Sequence, residues 1–148
     1  MRSCAPKTVS YTHLDVYKRQ IWAIAGDGGF QMTAAELTTA VQENANVKVA
    51  IMNNSFLGMV RQWQEFFFEK RYSAVNMLSP DFVKLAEAHG VPARRVTKRE
   101  EIDEAIAWAR SINGPTVLEF RVEQEDAVYP MVPAGAALDH MIQRPAKA

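Results

Sequence analysis

The sequence predicts an α/β fold in which a partial doubly wound parallel sheet carries helices on both faces. Short apolar segments of strand length alternate with segments of helical length along residues 21–122. Turn residues and helix-capping patterns separate these segments. A chain that alternates in this way builds a parallel sheet, because each crossover helix returns the chain to the same end of the sheet.

The first predicted unit is a strand, a loop and a helix, followed by a second strand. The apolar run Ile21–Ala25 is typical of a buried strand, and Gly26–Gly29 after it predicts a tight loop. The stretch Thr33–Glu36 has capping-box spacing, so we expect a helix from there to about Asn44. The second apolar run, Val47–Met52, predicts the second strand.

A further helix is predicted from residue 79 onwards. Ser79 is its expected N-cap, with Pro80 in the first turn, and Gly90 is expected to end it. His89 at that end is interpreted as a capping residue, because cations suit the carboxyl end of a helix dipole.

The remaining elements repeat the alternation. A short strand is expected over 93–96, and Thr97–Glu100 again has capping-box spacing, which predicts a helix through about Ser111. The β-rich segment Thr116–Val122 predicts the last strand.

The composition excludes several classes of protein. The chain has 148 residues, of which 48% are hydrophobic and 23% charged, as in an ordinary globular domain. Lys plus Arg equals Asp plus Glu at 17 each, so no net charge recruits nucleic acid or an anionic membrane. No apolar run approaches the roughly 18 residues of a membrane span. Cys4 is the only cysteine, which excludes an internal disulfide and favours a cytoplasmic protein.

Residues 1–20 differ in character from the rest of the chain. They contain no apolar stretch of signal-peptide length and no helical or strand period. Residues 10–20 resemble a translated cloning or sequencing adapter. We therefore expect 1–20 to be a non-native leader that does not pack on the rest, and 21–148 to be a domain truncated on its N-terminal side.

Polar side chains follow both of the first two predicted strands. Asp27 and Asn54 lie 27 positions apart (54 − 27), enough for one crossover helix, so both are expected at the edge where open α/β sheets bind ligands. A carboxylate oxygen, an amide oxygen and a nearby backbone carbonyl form an oxygen-only ligand set that suits Mg²⁺ and phosphate oxygens. Gly26, Gly28 and Gly29 leave room for backbone N–H groups to approach a phosphate. The sequence thus predicts a site for a metal-bound diphosphate.

The two motifs gain meaning as a pair. Gly26–Gly28 and Asn53-Asn54 are separated by 24 residues, and either one alone is typical of an ordinary turn. Together they resemble the cofactor motif of the thiamine-diphosphate-dependent enzymes, in which the Asp, the second Asn and the carbonyl two residues later bind Mg²⁺. The resemblance implies metal ligands at Asp27, Asn54 and the backbone oxygen of Phe56. It also implies a set of cofactor-binding residues: Gly26, Asp27, Gly28, Gly29, Asn54, Gly58 and Met59.

Residues 53–64 narrow the resemblance. They are similar to the large subunit of the biosynthetic acetolactate synthase (acetohydroxyacid synthase) family, and the similarity continues to about Ile142 through residues 71–73, 79–86 and 128–135. In that family the residues equivalent to Met59 and Trp63 contact the substrate, and this Trp shapes the pocket for the acceptor 2-ketoacid.

The resemblance implies a parent enzyme much larger than this chain. That parent would be a transferase that uses thiamine diphosphate and Mg²⁺ to condense pyruvate with pyruvate or 2-ketobutyrate, in valine, leucine and isoleucine biosynthesis. It would also bind FAD, mostly through a domain absent here, and form a homodimer or homotetramer, with or without a regulatory small subunit.

No catalytic residue is expected in the chain itself. In relatives the glutamate that activates the cofactor comes from the N-terminal domain of a neighbouring subunit, and nothing here matches its context. The isolated chain is therefore expected to be inactive. Two other interpretations stay open: a different thiamine-diphosphate enzyme of the glyoxylate carboligase or pyruvate oxidase type, against which Trp63 and the tail 129–133 argue, and a non-catalytic truncated module.

The segment after Asn54 predicts one more helix. Phe56, Val60, Trp63 and Phe67 fall on one helical face. We expect Val60 and Phe67 to pack in the core and Arg61 to be a solvated charge. The tail around residues 129–131 is expected either to close over the site, as the resemblance implies, or to pack on the sheet.

Overall fold

Four strands form a single parallel sheet in the computed structural model, which describes residues 20–124 and 127–145. The strand order is β1-β2-β4-β3, and every neighbouring pair is parallel. The strands are β1 (Ile21–Gly26), β2 (Val47–Asn53), β3 (Ala93–Val96) and β4 (Thr116–Arg121). The helices are α1 (Asp27–Thr33), α2 (Glu36–Gln42), α3 (Gly58–Phe67), α4 (Phe82–Ala88) and α5 (Ile102–Ser111), with short 3₁₀ turns at Arg99–Glu101 and Leu138–His140.

Helices cover both faces of the sheet, as predicted. On one face α1, α2 and α4 pack their apolar side chains against alternate residues of β2 and β4, including Ile51 and Val117. The rings of Phe30 and Phe82 meet edge to face there, 5.6 Å apart. On the other face α5 packs on Leu118 at the β3–β4 half of the sheet.

The sheet register sets the position of the site. Gly26, the last residue of β1, is paired with Met52 near the end of β2. The residues that follow these two strands therefore leave the sheet side by side at its carboxyl edge.

The first helix begins earlier than the sequence predicts. Asp27 opens α1 directly after β1, so the predicted tight loop is the first turn of a helix. Thr33 ends that helix and donates its hydroxyl to the Phe30 carbonyl instead of forming a capping box, and α2 begins at Glu36 without a side-chain cap. Burial of Phe30 in the core favours this arrangement over the local capping pattern, because the apolar contact requires residues 27–33 to be helical.

The predicted cap at Ser79 is also wrong. Asp81 is the N-cap of α4, and its carboxylate accepts hydrogen bonds from the backbone N–H groups of Val83 and Lys84 at 3.1 and 3.2 Å. Pro80 consequently lies before the helix. His89 is the C-cap residue, as predicted, and its Nδ1 lies 2.7 Å from the Thr38 hydroxyl oxygen.

The second predicted capping box is displaced by one residue. Glu101, rather than Glu100, reaches back to accept from the backbone N–H groups of Thr97 and Lys98, at 2.9 and 3.2 Å. These hydrogen bonds lower the pKa of the Glu101 carboxyl. The predicted leader lies outside the described residues apart from Gln20, so its packing stays a prediction.

Candidate cofactor and metal site

The two side chains among the three predicted metal ligands lie at the same edge of the sheet. Asp27 follows β1 and Asn54 follows β2, and these strands are direct neighbours. The backbone N–H of Ser55 donates to Asp27 Oδ2 over 3.0 Å, so a single hydrogen bond links the two loops.

The Asp27 carboxylate is buried and held from one side. It is 2% exposed, and its Oδ2 accepts from the Ser55 N–H and from the Ser79 hydroxyl, each at 3.0 Å. Within the described residues, no hydrogen bond is made to Asp27 Oδ1. The second oxygen is thus available to a cation, which would compensate the charge of this buried carboxylate.

The turn after β2 presents two further oxygen atoms. Asn54 Oδ1 accepts from the Phe56 N–H at 3.1 Å and keeps a second lone pair. Neighbouring backbone hydrogen bonds join Leu57 to Val75 and Met77 to Ser55. The Phe56 carbonyl oxygen accepts no backbone hydrogen bond from the described part of the chain. A carboxylate, an amide and a free carbonyl oxygen fit the ligand set that Mg²⁺ prefers.

These residues line one cavity of about 360 Å³. The lining contains every predicted cofactor-binding residue and the Phe56 ligand position, together with Met52, Leu57 and Val122. No group of three His, Cys, Asp or Glu side chains that could hold a metal occurs in residues 20–124 and 127–145. A metal site here would therefore depend on neutral oxygen ligands beside the single carboxylate.

The glycines of the cavity differ in what they make room for. A Cβ at Gly26 or Gly29 would meet nothing within 4 Å, so both positions border open space. A Cβ at Gly28 would lie 2.9 Å from the Met77 sulfur, so a side chain at this position would have to displace the end of the Met77 side chain. The N–H groups of Gly28 and Gly29 belong to the first turn of α1, where backbone donors have no intrahelical acceptor.

The two predicted substrate residues are placed differently. Met59 lines the cavity and is 55% exposed. Trp63 is one helical turn further along α3 and does not line the cavity; the centre of its ring lies 5.1 Å from that of Phe67, with the two ring planes tilted by 51°. The structure brings Met59 to the candidate site and leaves Trp63 outside it.

The inward face of α3 is the polar one, contrary to expectation. Val60 and Phe67 are 47% and 39% exposed, whereas Arg61 and Gln62 are buried. The Arg61 guanidinium lies over the rings of Phe56 and Tyr72, at 5.5 and 4.9 Å from their centres. The guanidinium also pairs with the Glu65 carboxylate and donates to the Tyr72 hydroxyl, each at 3.3 Å. Because these partners compensate the buried charge, Arg61 can face inward, and the prediction of a solvated Arg61 is wrong.

The tail packs on α3. The Gln62 side chain donates to the Val128 carbonyl at 3.0 Å and accepts from the Val128 N–H at 2.8 Å. The rings of Phe66 and Tyr129 lie 5.4 Å apart. The tail therefore contacts the helix that borders the cavity, and neither expected position describes it.

Sequence reasoning missed a buried charged network beside the site. Glu119 on β4 is completely buried, accepts hydrogen bonds from Asn53 and Arg95, and forms an ion pair with Arg121. Its hydrogen bond raises the pKa of the Arg95 guanidinium, which also pairs with Asp81 at 2.7 Å. The signal in the sequence is the carboxylate at Glu119, which interrupts an otherwise apolar central strand.

A second, larger cavity lies on the face of the sheet that carries α5. It measures about 540 Å³ and is lined mainly by apolar side chains, among them Trp22, Ile24, Ile102 and Phe120.

The helices of the described residues are all too short or too polar to cross a membrane.

Known proteins provide comparisons at the level of sequence and structure. Residues 9–120 match the family described as thiamine pyrophosphate enzyme, C-terminal TPP binding domain. The match begins inside the predicted leader, whose origin stays a prediction.

Individual relatives agree with this family. The acetolactate synthase large subunit of Corynebacterium glutamicum is 50% identical over 125 residues, which cover 80% of this chain and 20% of the relative. The mitochondrial acetolactate synthase catalytic subunit of Saccharomyces cerevisiae is 48% identical over 119 residues, covering 80% of this chain and 17% of the relative.

A solved structure shows the same fold. The thiamine diphosphate-dependent 4-hydroxybenzoylformate decarboxylase of Rhodococcus jostii superposes with a TM-score of 0.69 and 27% identity, over 76% of this chain and 21% of that one. The chain thus spans about a fifth of the length of these relatives. The candidate site lies at the ends of β1 and β2, and residues 9–120 match the family model. The chain therefore belongs to the family of C-terminal thiamine-pyrophosphate-binding domains of the thiamine-pyrophosphate enzymes.

Proposed function

We propose that the chain is the part of an acetolactate synthase large subunit that holds the Mg²⁺-diphosphate end of thiamine diphosphate. Identity of about half to two acetolactate synthases supports this assignment over a decarboxylase or another enzyme of the family. The observation that carries it is the convergence of Asp27, Asn54 and Phe56 in one glycine-bordered cavity.

Each ligand position has a distinct role in the proposal. Asp27 Oδ1 supplies the negative charge, and the Asn54 amide oxygen and the Phe56 carbonyl supply neutral oxygens. Gly26, Gly28 and Gly29 allow the diphosphate to approach the start of α1. When bound, thiamine diphosphate supplies the carbanion chemistry, and the protein supplies binding and orientation.

The residues around the ligands keep them in place. Ser79 and the Ser55 N–H occupy Asp27 Oδ2, which directs the other oxygen of the carboxylate away from both hydrogen bonds. Asn54 Oδ1 engages the Phe56 N–H, which fixes the two neutral ligands relative to one another. A preformed arrangement of this kind reduces the ordering that metal binding requires.

The wider activity belongs to the parent enzyme. It would condense pyruvate with pyruvate or 2-ketobutyrate in branched-chain amino-acid biosynthesis, with Met59 and Trp63 contacting the substrate. FAD, a homodimer or homotetramer, a regulatory small subunit and a cytoplasmic location are likewise proposals for that parent.

We expect the isolated chain to bind a divalent metal with diphosphate but not to convert pyruvate to acetolactate. Incubation with pyruvate, thiamine diphosphate and Mg²⁺ should yield no acetolactate above a control without protein, because the activating carboxylate is not among these residues.

Titration with Mn²⁺ and inorganic pyrophosphate, followed by electron paramagnetic resonance of free Mn²⁺, should show one metal-binding site. Asp27→Asn should abolish that site, and Asp103→Asn, an exposed acid on α5, should retain it. Acetolactate formation by the chain, or Mn²⁺ binding unaffected by Asp27→Asn, would contradict the proposal.

A further inference from the structure

A buried carboxylate lies one strand away from the turn that carries two candidate ligands. Glu119 is on β4, between β2 and β3, and pairs in register with Ile51 on one side and Arg95 on the other. Its side chain is 0% exposed. A buried carboxylate is retained only where donors compensate the loss of water.

Three donors provide that compensation. Glu119 Oε1 accepts from Asn53 Nδ2 at 2.7 Å and lies 3.0 Å from Arg121 Nε. Glu119 Oε2 accepts from Arg95 Nε at 2.7 Å. The two guanidinium groups are partly exposed, whereas Asn53 is buried, so Asn53 is the fully enclosed partner.

The contact fixes which way the Asn53 amide points. An ionised carboxylate accepts hydrogen bonds and donates none, so the NH₂ group of Asn53 must face Glu119. Asn53 Oδ1 is then directed to the next turn, where it accepts from the Ser55 N–H at 3.1 Å and the Ser55 hydroxyl at 3.2 Å.

Ser55 needs this support. Its backbone φ is +59°, a left-handed conformation that residues other than glycine rarely adopt. Its N–H is shared between Asn53 Oδ1 and Asp27 Oδ2. The conformation of this residue decides where the Asn54 side chain before it and the Phe56 carbonyl after it point.

We propose that Glu119 is a positioning residue for the metal loop, residues 53–56. Its carboxylate orients the Asn53 amide, Asn53 holds Ser55, and Ser55 presents Asn54 and Phe56 to the metal. This inference rests on the proposed function, since it assigns these two residues as ligands. A simpler role for Glu119 is an ion pair that joins β3 to β4 through Arg95, and the two roles make different predictions.

Four substitutions in the 148-residue chain separate these roles. Glu119→Met removes every acceptor from the position. Glu119→Gln keeps one oxygen that can accept from Asn53 and gives up the ion pair with Arg95. Arg95→Met also removes that ion pair and leaves the link between Glu119 and Asn53 intact. Asn53→Ala breaks the link from its other end.

The first measurement is the affinity for Mn²⁺ with inorganic pyrophosphate. Loss of a hydrogen-bonding partner behind a metal site typically weakens metal affinity, so Glu119→Met and Asn53→Ala should each weaken it by roughly tenfold. Their combination should weaken it no further, because both remove the same link. Glu119→Gln and Arg95→Met should retain the affinity of the unmodified chain.

The second measurement needs no metal. Hydrogen exchange of the Ser55 N–H, followed by NMR, should be faster in Glu119→Met and Asn53→Ala than in the unmodified chain, and unchanged in Arg95→Met. Equal exchange and equal affinity in Glu119→Met and the unmodified chain would overturn the positioning role and leave the proposed function standing. Equal loss in Arg95→Met and Glu119→Met would also overturn it, in favour of the ion pair. Absence of Mn²⁺-pyrophosphate binding by the unmodified chain would overturn the proposed function and this role with it.

Discussion

At the scale of single residues, Asp27 and Trp63 illustrate two kinds of assignment. Asp27 is buried, hydrogen-bonded through one oxygen and positioned at the cavity. Trp63 is 41% exposed, contacts Phe67 and lies outside that cavity. The position of Asp27 is therefore consistent with the proposed metal site, whereas the proposed contact of Trp63 with an acceptor would lie outside this cavity.

Replacement of Trp63 by Leu should change substrate choice without loosening the cofactor. Because the indole makes no part of the cavity, Mn²⁺-pyrophosphate affinity should stay at the value of the unmodified chain. In the full-length parent, the preference for 2-ketobutyrate over pyruvate should fall by about tenfold, since an apolar wall discriminates one methylene by ~1–3 kcal/mol. Product ratios from mixed 2-ketoacids measure this change. An unchanged ratio together with lost cofactor affinity would place Trp63 in the cofactor site.

Lys48 gives a prediction for the dependence of stability on pH. Its side chain is completely buried, and Nζ donates to the carbonyls of Ile112 and Gly114 at 2.7 and 2.6 Å. Burial lowers the pKa of the ammonium group, because the folded state disfavours the charge. In the unfolded chain the pKa of Lys48 is near 10.4. At pH values between the lowered pKa of the folded state and about 10.4, the unfolded state therefore binds more protons than the folded state. Stability should rise with pH in that interval.

The control for this pH dependence is Lys48→Met. Free energies of unfolding of both chains, from urea titrations at several pH values, give a difference in which other groups cancel. The free energy of unfolding of the unmodified chain should increase relative to that of Lys48→Met as pH rises through the interval below about 10.4. A difference that does not vary with pH would show that Lys48 titrates alike in the folded and unfolded states.

At the scale of elements, the structure shows how far local patterns define helix boundaries. The four strands and their parallel arrangement follow from apolar runs in the sequence, and the strands end within two residues of the predicted positions. The starts of α1 and α4 do not follow, although Thr33 and Ser79 have the right residue type for caps. Thr33 bonds back to the Phe30 carbonyl at the end of α1, whose Phe30 is buried in the core, and Ser79 is engaged by a contact distant in sequence. Ser79 donates to Asp27, 52 positions earlier in the chain. No local window contains that partner.

The corrected cap of α4 can be tested against the predicted one. Asp81→Ala should lower the free energy of unfolding, since it removes the acceptor for the first N–H groups of the helix and the ion pair with Arg95. The Lys84 N–H and, after it, the Arg95 guanidinium lower the pKa of Asp81, so its stabilising effect should be present above the ordinary carboxyl pKa and be lost as pH falls through the lowered value. Ser79→Ala should leave α4 stable and weaken only the support of Asp27. Urea unfolding of the two variants would refute this assignment if Ser79→Ala proved the more damaging to the helix.

The orientation of α3 could not be predicted from periodicity. Its apolar stripe includes Val60 and Phe67, which are exposed here, and its buried residues are Arg61 and Gln62. Periodicity identifies a helix with two unlike faces and does not say which face turns inward. The partners that decide it, such as Tyr72 and Val128, lie in segments without regular structure.

At the scale of the whole molecule, the two faces of the sheet are covered unequally. One face carries α1, α2 and α4, while on the other α5 covers β3 and β4. Ile24 on β1 is 76% exposed as a result. The candidate site lies at the carboxyl edge between these faces, where ligands bind in open α/β sheets, and the spacing of the glycine and asparagine motifs predicted that location.

The central claim is that Asp27, Asn54 and the Phe56 carbonyl together hold a metal-bound diphosphate. The most direct test is a crystal structure of the chain grown with Mn²⁺ and thiamine diphosphate, with the metal located by anomalous scattering. One strong peak is expected within about 2.0–2.3 Å of Asp27 Oδ1, Asn54 Oδ1 and the Phe56 oxygen, with diphosphate oxygens completing the coordination of the metal. A peak coordinated by other residues, or diphosphate bound away from the glycines at the start of α1, would contradict it.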